Sequence, residues 1–219
     1  MIMPGVQIHN SYTPWLDKKN YDFLMGKDAP EYIIYKDTST DDRYVNIEVP
    51  ATFLALKLNY ELTNYSVTGF YDYGLKYPAK LFKKKNKPSG YIASKEPFKE
   101  ETISKYDFVK IPKDADYMSV EYTSTLKTLL AKLFWKVPEI QLTSYFPNKK
   151  KEDYLTGNVV IDNLSTPIEI NDLAYKLQYF DKSKDFFYGE KLKYIKFSGN
   201  GLDYIGDIKL KWYKKELYK

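Results

Sequence analysis

Apolar residues in this chain recur mostly at every second position over short runs, a spacing that turns them to one side of a strand. From Phe53 to Leu62, Leu54, Leu56, Leu58, Tyr60 and Leu62 alternate with Phe53, Ala55, Lys57, Asn59 and Glu61, and this predicts a half-buried strand. Tyr44 to Val49 is expected to lie beside it, with Pro50 between them where no ladder N–H is needed. A less regular strand is expected over Val67 to Tyr73.

Further along, Tyr106 to Ile111 and Tyr117 to Tyr122 read as strands joined by the polar turn Pro112 to Asp116. Asn158 to Asp162 and Ile168 to Ile170 flank a turn at Asn163 to Pro167, followed by strands at Ala174 to Phe180 and Leu192 to Phe197. Ser198-Gly199-Asn200-Gly201 supplies residues that tolerate positive φ. In the last strand Ile208, Leu210 and Trp212 alternate with Lys209, Lys211 and Tyr213, and the lysines suit a solvated or edge strand.

One segment breaks the pattern. Leu126, Leu129, Leu130, Leu133 and Phe134 fall at helical spacing, so a short amphipathic helix is expected at about residues 124–136, with Ser124 as its N-cap and Pro138 as its stop. Its leucine face is expected to lie across a sheet. The fold class is therefore mainly β, an antiparallel β-sandwich or jelly-roll-like domain carrying one helix, with α+β as the alternative. Residues 1–40, interrupted by Pro4, Pro14 and Pro30, read as an irregular N-terminal arm, and residues 41–219 as a single β-rich domain.

Tyrosine is the compositional excess: 23 Tyr, 12 Phe and 3 Trp bring the aromatic fraction to 17%. Such rings suit pleated surfaces and subunit contacts, where an apolar body and a polar tip are both used. Cysteine is absent, which excludes disulfides, thiolate nucleophiles and thiolate metal sites. His9 is the sole histidine, so neither a histidine triad nor a histidine metal centre has the side chains it needs elsewhere. Glu121, Glu139, Asp162 and Glu169 are acids for which the sequence gives no shared cleft. The acidic run Asp37 to Asp42 lacks the glycine and distal glutamate of a calcium loop, and no phosphate-binding glycine motif occurs. No catalytic residue, metal site or cofactor is assigned.

Arg43 is the only arginine against 33 lysines, a skew that reads as AT-rich coding and that argues against a sequence-specific nucleic-acid reader. The net charge of +5 permits weak polyanion contact through Lys83 to Lys87, Lys149 to Lys151 and Lys214-Lys215. No signal peptide or membrane-length apolar run is visible, so cytoplasmic synthesis without export is expected.

These features favour a non-enzymatic assembly subunit, in particular a bacteriophage virion component such as a head–tail connector, ring, tail or fibre protein, partnered by itself or by other subunits. Tyr12, Trp15, Phe23 and Trp212 are the candidate subunit-interface residues. The alternative is a carbohydrate-binding β-sandwich with Tyr71, Tyr73, Phe187 and Tyr188 as stacking residues. A second alternative, single-stranded nucleic-acid binding, requires tyrosines and lysines to share one surface.

Overall fold

The computed structural model describes residues 13–35, 45–67, 79–134, 140–146, 154–174 and 192–219. Its elements in chain order are α1 (Pro14–Met25), β1 (Tyr32–Tyr35), α2 (Val45–Glu48), α3 (Pro50–Asn59), β2 (Tyr60–Val67), β3 (Ala79–Lys84) and β4 (Tyr91–Ala93). There follow β5 (Lys99–Ile103), β6 (Phe108–Lys110), β7 (Tyr117–Ser124), α4 (Leu126–Phe134), β8 (Ile140–Tyr145) and β9 (Tyr154–Val159). The described chain finishes with β10 (Ile168–Glu169), β11 (Tyr194–Ser198), β12 (Ile205–Tyr213) and β13 (Lys215–Leu217).

The chain is mainly β. Two four-stranded antiparallel sheets, ordered β10-β7-β12-β5 and β6-β11-β8-β9, form a sandwich. The alternating residues behave as expected here. Met118 and Val120 of β7 and Ile208, Leu210 and Trp212 of β12 point inward, where they share one core with Val109, Leu142, Ile195 and Phe197 of the facing sheet. The turn after β6 carries the chain from one sheet to the other, so β6 and β7 are neighbours in sequence and not in pairing. β12 is an interior strand bonded to both β7 and β5, not an edge. Its lysines are on the solvated side, and Lys211 pairs with Glu121 of β7 at 2.5 Å.

A second, smaller core lies between helices α1 and α3 and the sheet β1-β3-β2, around Leu24, Tyr35, Phe53, Leu56, Tyr60 and Phe82. Here the sequence pattern misleads. Phe53 to Leu62 is not one strand: the chain is helical through Asn59 and turns extended only at Tyr60. Tyr44 to Val49 likewise holds the short helix α2. Phe53, Ala55, Leu56 and Leu58 are all buried, so apolar residues surround α3 and neither period is diagnostic. Pro50 occupies the first turn of the helix, where a missing N–H costs nothing.

The expected irregular arm is ordered over residues 13–35. Pro14 starts α1 instead of breaking it, and the Thr13 hydroxyl accepts from the Leu16 N–H at 3.3 Å as the N-cap. The expected strands Asn158 to Asp162 and Ile168 to Ile170 end early, at Val159 and Glu169, and each is followed by a 3₁₀ helix, Ile161–Ser165 and Ile170–Ala174; the expected strand Ala174 to Phe180 lies outside the described residues beyond Ala174. So does Val67 to Tyr73 beyond Val67. Gly199, at φ 98, makes the expected turn.

Both ends of α3 are capped from distant parts of the chain. At its N-terminus the buried Asp17 carboxylate accepts from the Ala51 and Thr52 N–H groups, each at 2.8 Å, and from the Thr52 hydroxyl at 2.7 Å. At its C-terminus the Lys85 ammonium donates to the Lys57 and Leu58 carbonyls at 2.9 and 3.2 Å. Negative charge at the start and positive charge at the end both complement the helix dipole. Lys57 then ties α3 to the sandwich through Glu169 at 2.8 Å and Asp172 at 2.5 Å.

Asp17→Ala strands two buried amides and should cost about 3 kcal/mol in urea unfolding. Burial pushes the Asp17 carboxyl above its ordinary value of 3.8, opposed by the bonds from Thr52 and Ala51. The folded state thus holds that proton more tightly than the unfolded chain, and this contribution to stability fades as pH rises through the folded-state value. The advantage of wild type over Asp17→Asn should therefore shrink as pH rises above the ordinary value of 3.8 in paired unfolding curves.

Candidate functional site

Two surfaces stand out. The first is α4. Thr125, not Ser124, caps it: the Thr128 N–H donates to the Thr125 hydroxyl at 3.2 Å and the Thr125 N–H to the Thr128 hydroxyl at 3.0 Å, a reciprocal cap. Ser124 is instead the last residue of β7. Both threonine hydroxyls also donate to the Tyr204 carbonyl, and Thr128 is fully buried. One turn on, the Lys132 ammonium reaches Asp162 at 2.8 Å and the Tyr122 hydroxyl at 2.8 Å, and Tyr122 donates to the same carboxylate. Burial pulls the Lys132 ammonium down, yet its bonds to Asp162 and Tyr122 hold it above its ordinary value. Burial and the bond to Asp162 push the Tyr122 phenol up.

These polar residues bind α4 by the side opposite its leucines. Leu126, Leu129, Leu130 and Leu133 are 48–73% exposed. The expectation that the leucine face lies on a sheet is therefore reversed: local periodicity locates an apolar stripe but not the direction it faces, which Thr128, Lys132 and Asp162 decide.

The second surface is the outer face of the β6-β11-β8-β9 sheet. Register places Lys110, Tyr194, Tyr145 and Tyr154 in one row across all four strands. The next row holds Phe108, Lys196, Thr143 and Thr156. Phe108 and Tyr145 have ring centroids 5.0 Å apart, and Tyr145 and Tyr154 are 5.8 Å apart. The Lys196 ammonium sits 4.8 Å from the Phe108 ring centroid. Burial, with Tyr154 alongside, pushes the Tyr145 phenol up. A cleft of about 560 Å³ adjoins this face at Phe108 and Lys110 and extends past Asp107 to Lys99 and Glu101.

No protein-family model, curated protein or solved structure matches this chain.

Trp15 is 65% exposed on α1 with Lys19 over its ring, available for contact as the sequence suggests. Phe23 is half-buried against the smaller core. Trp212 is not available: it is fully buried between the sheets, and its indole N–H donates to Glu101 at 2.7 Å. Tyr12, Tyr71, Tyr73, Phe187, Tyr188, His9 and Glu139 lie outside the described residues, as do residues 37–42 and 149–151. Glu121, Asp162 and Glu169 are each paired with a lysine and do not converge. Among the described residues no three metal-ligating side chains cluster, and no helix is long and apolar enough to cross a membrane.

Four described lysines of these runs have local partners. Lys84 and Lys85 serve backbone carbonyls, while Lys214 and Lys215 lie over Phe98 and Tyr91. The ring row escaped sequence reasoning because its members come from four separate strands. A detectable signal existed nonetheless: none of those four strands contains Asp or Glu.

If Thr128 holds α4 in place, Thr128→Val should loosen the helix by about 1 kcal/mol. Amide exchange at Leu129 to Lys132 should then quicken about fivefold, with little change in the sandwich strands.

Proposed function

We propose that the protein is a non-catalytic structural subunit of a larger assembly and that α4 is a contact between copies. The observation that supports this reading is the exposed leucine face on a helix fastened by its polar side. A loosely held helix could turn its leucines inward; this one is bonded against doing so. Each leucine gains about 1.5–3 kcal/mol on full burial, so a pair of such helices has enough apolar surface to offset the entropy of association.

The occupant that fits is α4 of a second copy. Leucines at i, i+3, i+4 and i+7 form a self-complementary seam, and a twofold axis is the commonest way for identical subunits to meet. Lys132 does not oppose the pairing, because Asp162 draws its charge to the body of the subunit. A bacteriophage virion, as a head–tail connector, ring, tail or fibre component, is the setting favoured by the AT-rich coding skew and the supply of tyrosines for subunit contacts. Trp15, exposed on α1, is a further contact point in that setting.

Light scattering on wild type should give a dimer or an even-numbered multiple, and Leu129→Lys with Leu133→Lys should give a monomer. Because the chain has no cysteine, Leu130→Cys should oxidise to a covalent dimer, whereas Glu96→Cys in an exposed loop should not. A wild type that stays monomeric at every concentration, with no cross-link through position 130, would sink this reading.

A further inference from the structure

The two outer faces of the sandwich differ in kind. On the β10-β7-β12-β5 sheet, lysines and carboxylates neutralise one another: Lys209 with Glu100 and Lys211 with Glu121 at 2.5 Å. The β6-β11-β8-β9 sheet has no acid in any strand, although the chain holds 29. Among the described residues Lys110, Lys193 and Lys196 form no ion pair, and the latter two lie against Tyr194 and Phe108. Unneutralised cations beside open rings form a surface for a ligand that brings both negative charge and flat faces.

We propose that this face binds single-stranded nucleic acid without sequence preference, bases stacking on Phe108, Tyr145, Tyr154 and Tyr194 while phosphates meet Lys110 and Lys196. Three observations converge on that ligand. Phe108 and Tyr154, at the two ends of the ring tract, are 59% and 46% exposed, so their faces are open to a base. Phe108, Tyr145 and Tyr154 follow one another at 5.0 and 5.8 Å with ring planes tilted by 54° and 38°, a continuous aromatic surface whose unequal orientations suit the unstacked bases of a single strand. Lysine without arginine gives charge without the bidentate geometry that reads base edges, which is the signature of sequence-tolerant binding. A glycan site with the same rings would want carboxylates among them to hold sugar hydroxyls, and the four strands supply none.

The approach to Phe108 is also strained. Tyr106, two residues earlier, has φ 69, a left-handed conformation that disfavours a residue with a Cβ, yet its ring is exposed and gains nothing from the core. Strain kept without burial beside an open ring is consistent with a surface used for binding.

Fluorescence anisotropy with a labelled oligothymidine at low salt tests the proposal. Wild type should bind, and affinity should fall with added salt at a logarithmic slope of about −1.4, as two phosphate contacts require. Phe108→Ala with Tyr154→Ala, both exposed positions, should weaken binding roughly tenfold or more per ring. Lys196→Gln should flatten the slope by about 0.7. Lys209→Gln on the opposite face should leave binding unchanged, which separates this site from the overall charge of the protein. The proposal is overturned if the oligonucleotide does not bind at low salt or if the ring variants bind as well as wild type. Equal affinity for duplex, or salt-insensitive binding of a soluble chito-oligosaccharide instead, would overturn it too.

Discussion

Helix α3 depends on charges it does not contain. Asp17 from α1 closes its N-terminus, Lys85 from beyond β3 closes its C-terminus, and Lys57 on its own surface reaches Glu169 and Asp172 of the sandwich. A ten-residue helix is too short to persist in water by itself. Buried among α1, the β1-β3-β2 sheet and the sandwich, it would leave the Ala51 and Thr52 N–H groups and the Lys57 carbonyl without those partners if the charges were removed. The smaller core is thus an electrostatic construction as much as an apolar one. Its attachment to the larger core is reinforced where the buried Asn163 side chain donates to the Glu48 carbonyl at 2.7 Å.

That dependence explains where the sequence was legible. β11 and β12 could be read because burial alternates along each, so alternation carries the information. α4 could be read because its leucines keep helical spacing. α3 could not, since burial on all sides erases the contrast that a period needs, and its caps lie 34 and about 27 residues away. Pro14 and Pro50 were ambiguous for a related reason: proline opens a helix as readily as it interrupts a strand.

The candidate surfaces divide along the same line. The leucine stripe of α4 is local and was visible, but its orientation was not, because the Thr128, Tyr204 and Asp162 contacts that fix it come from three segments. The ring row is non-local in every member. Phe108, Tyr145, Tyr154 and Tyr194 look like ordinary strand tyrosines and phenylalanines until pairing sets them side by side. Only the lack of acids within the four strands could have been noticed in advance.

The position of β12 also has a consequence for how the protein is made. It lies between β5 and β7 and bonds to both, although it follows them by most of the sandwich sequence. A ribosome therefore releases β5 and β7 long before the strand that joins them exists, and the open flanks of both wait unsatisfied in the meantime. Closure of the sandwich is a late event governed by long-range pairing, slow by nature and exposed to aggregation while it is pending. A nascent chain halted before Ile205 would lack the central strand of that sheet and with it Trp212, one of the largest fully buried side chains in the molecule.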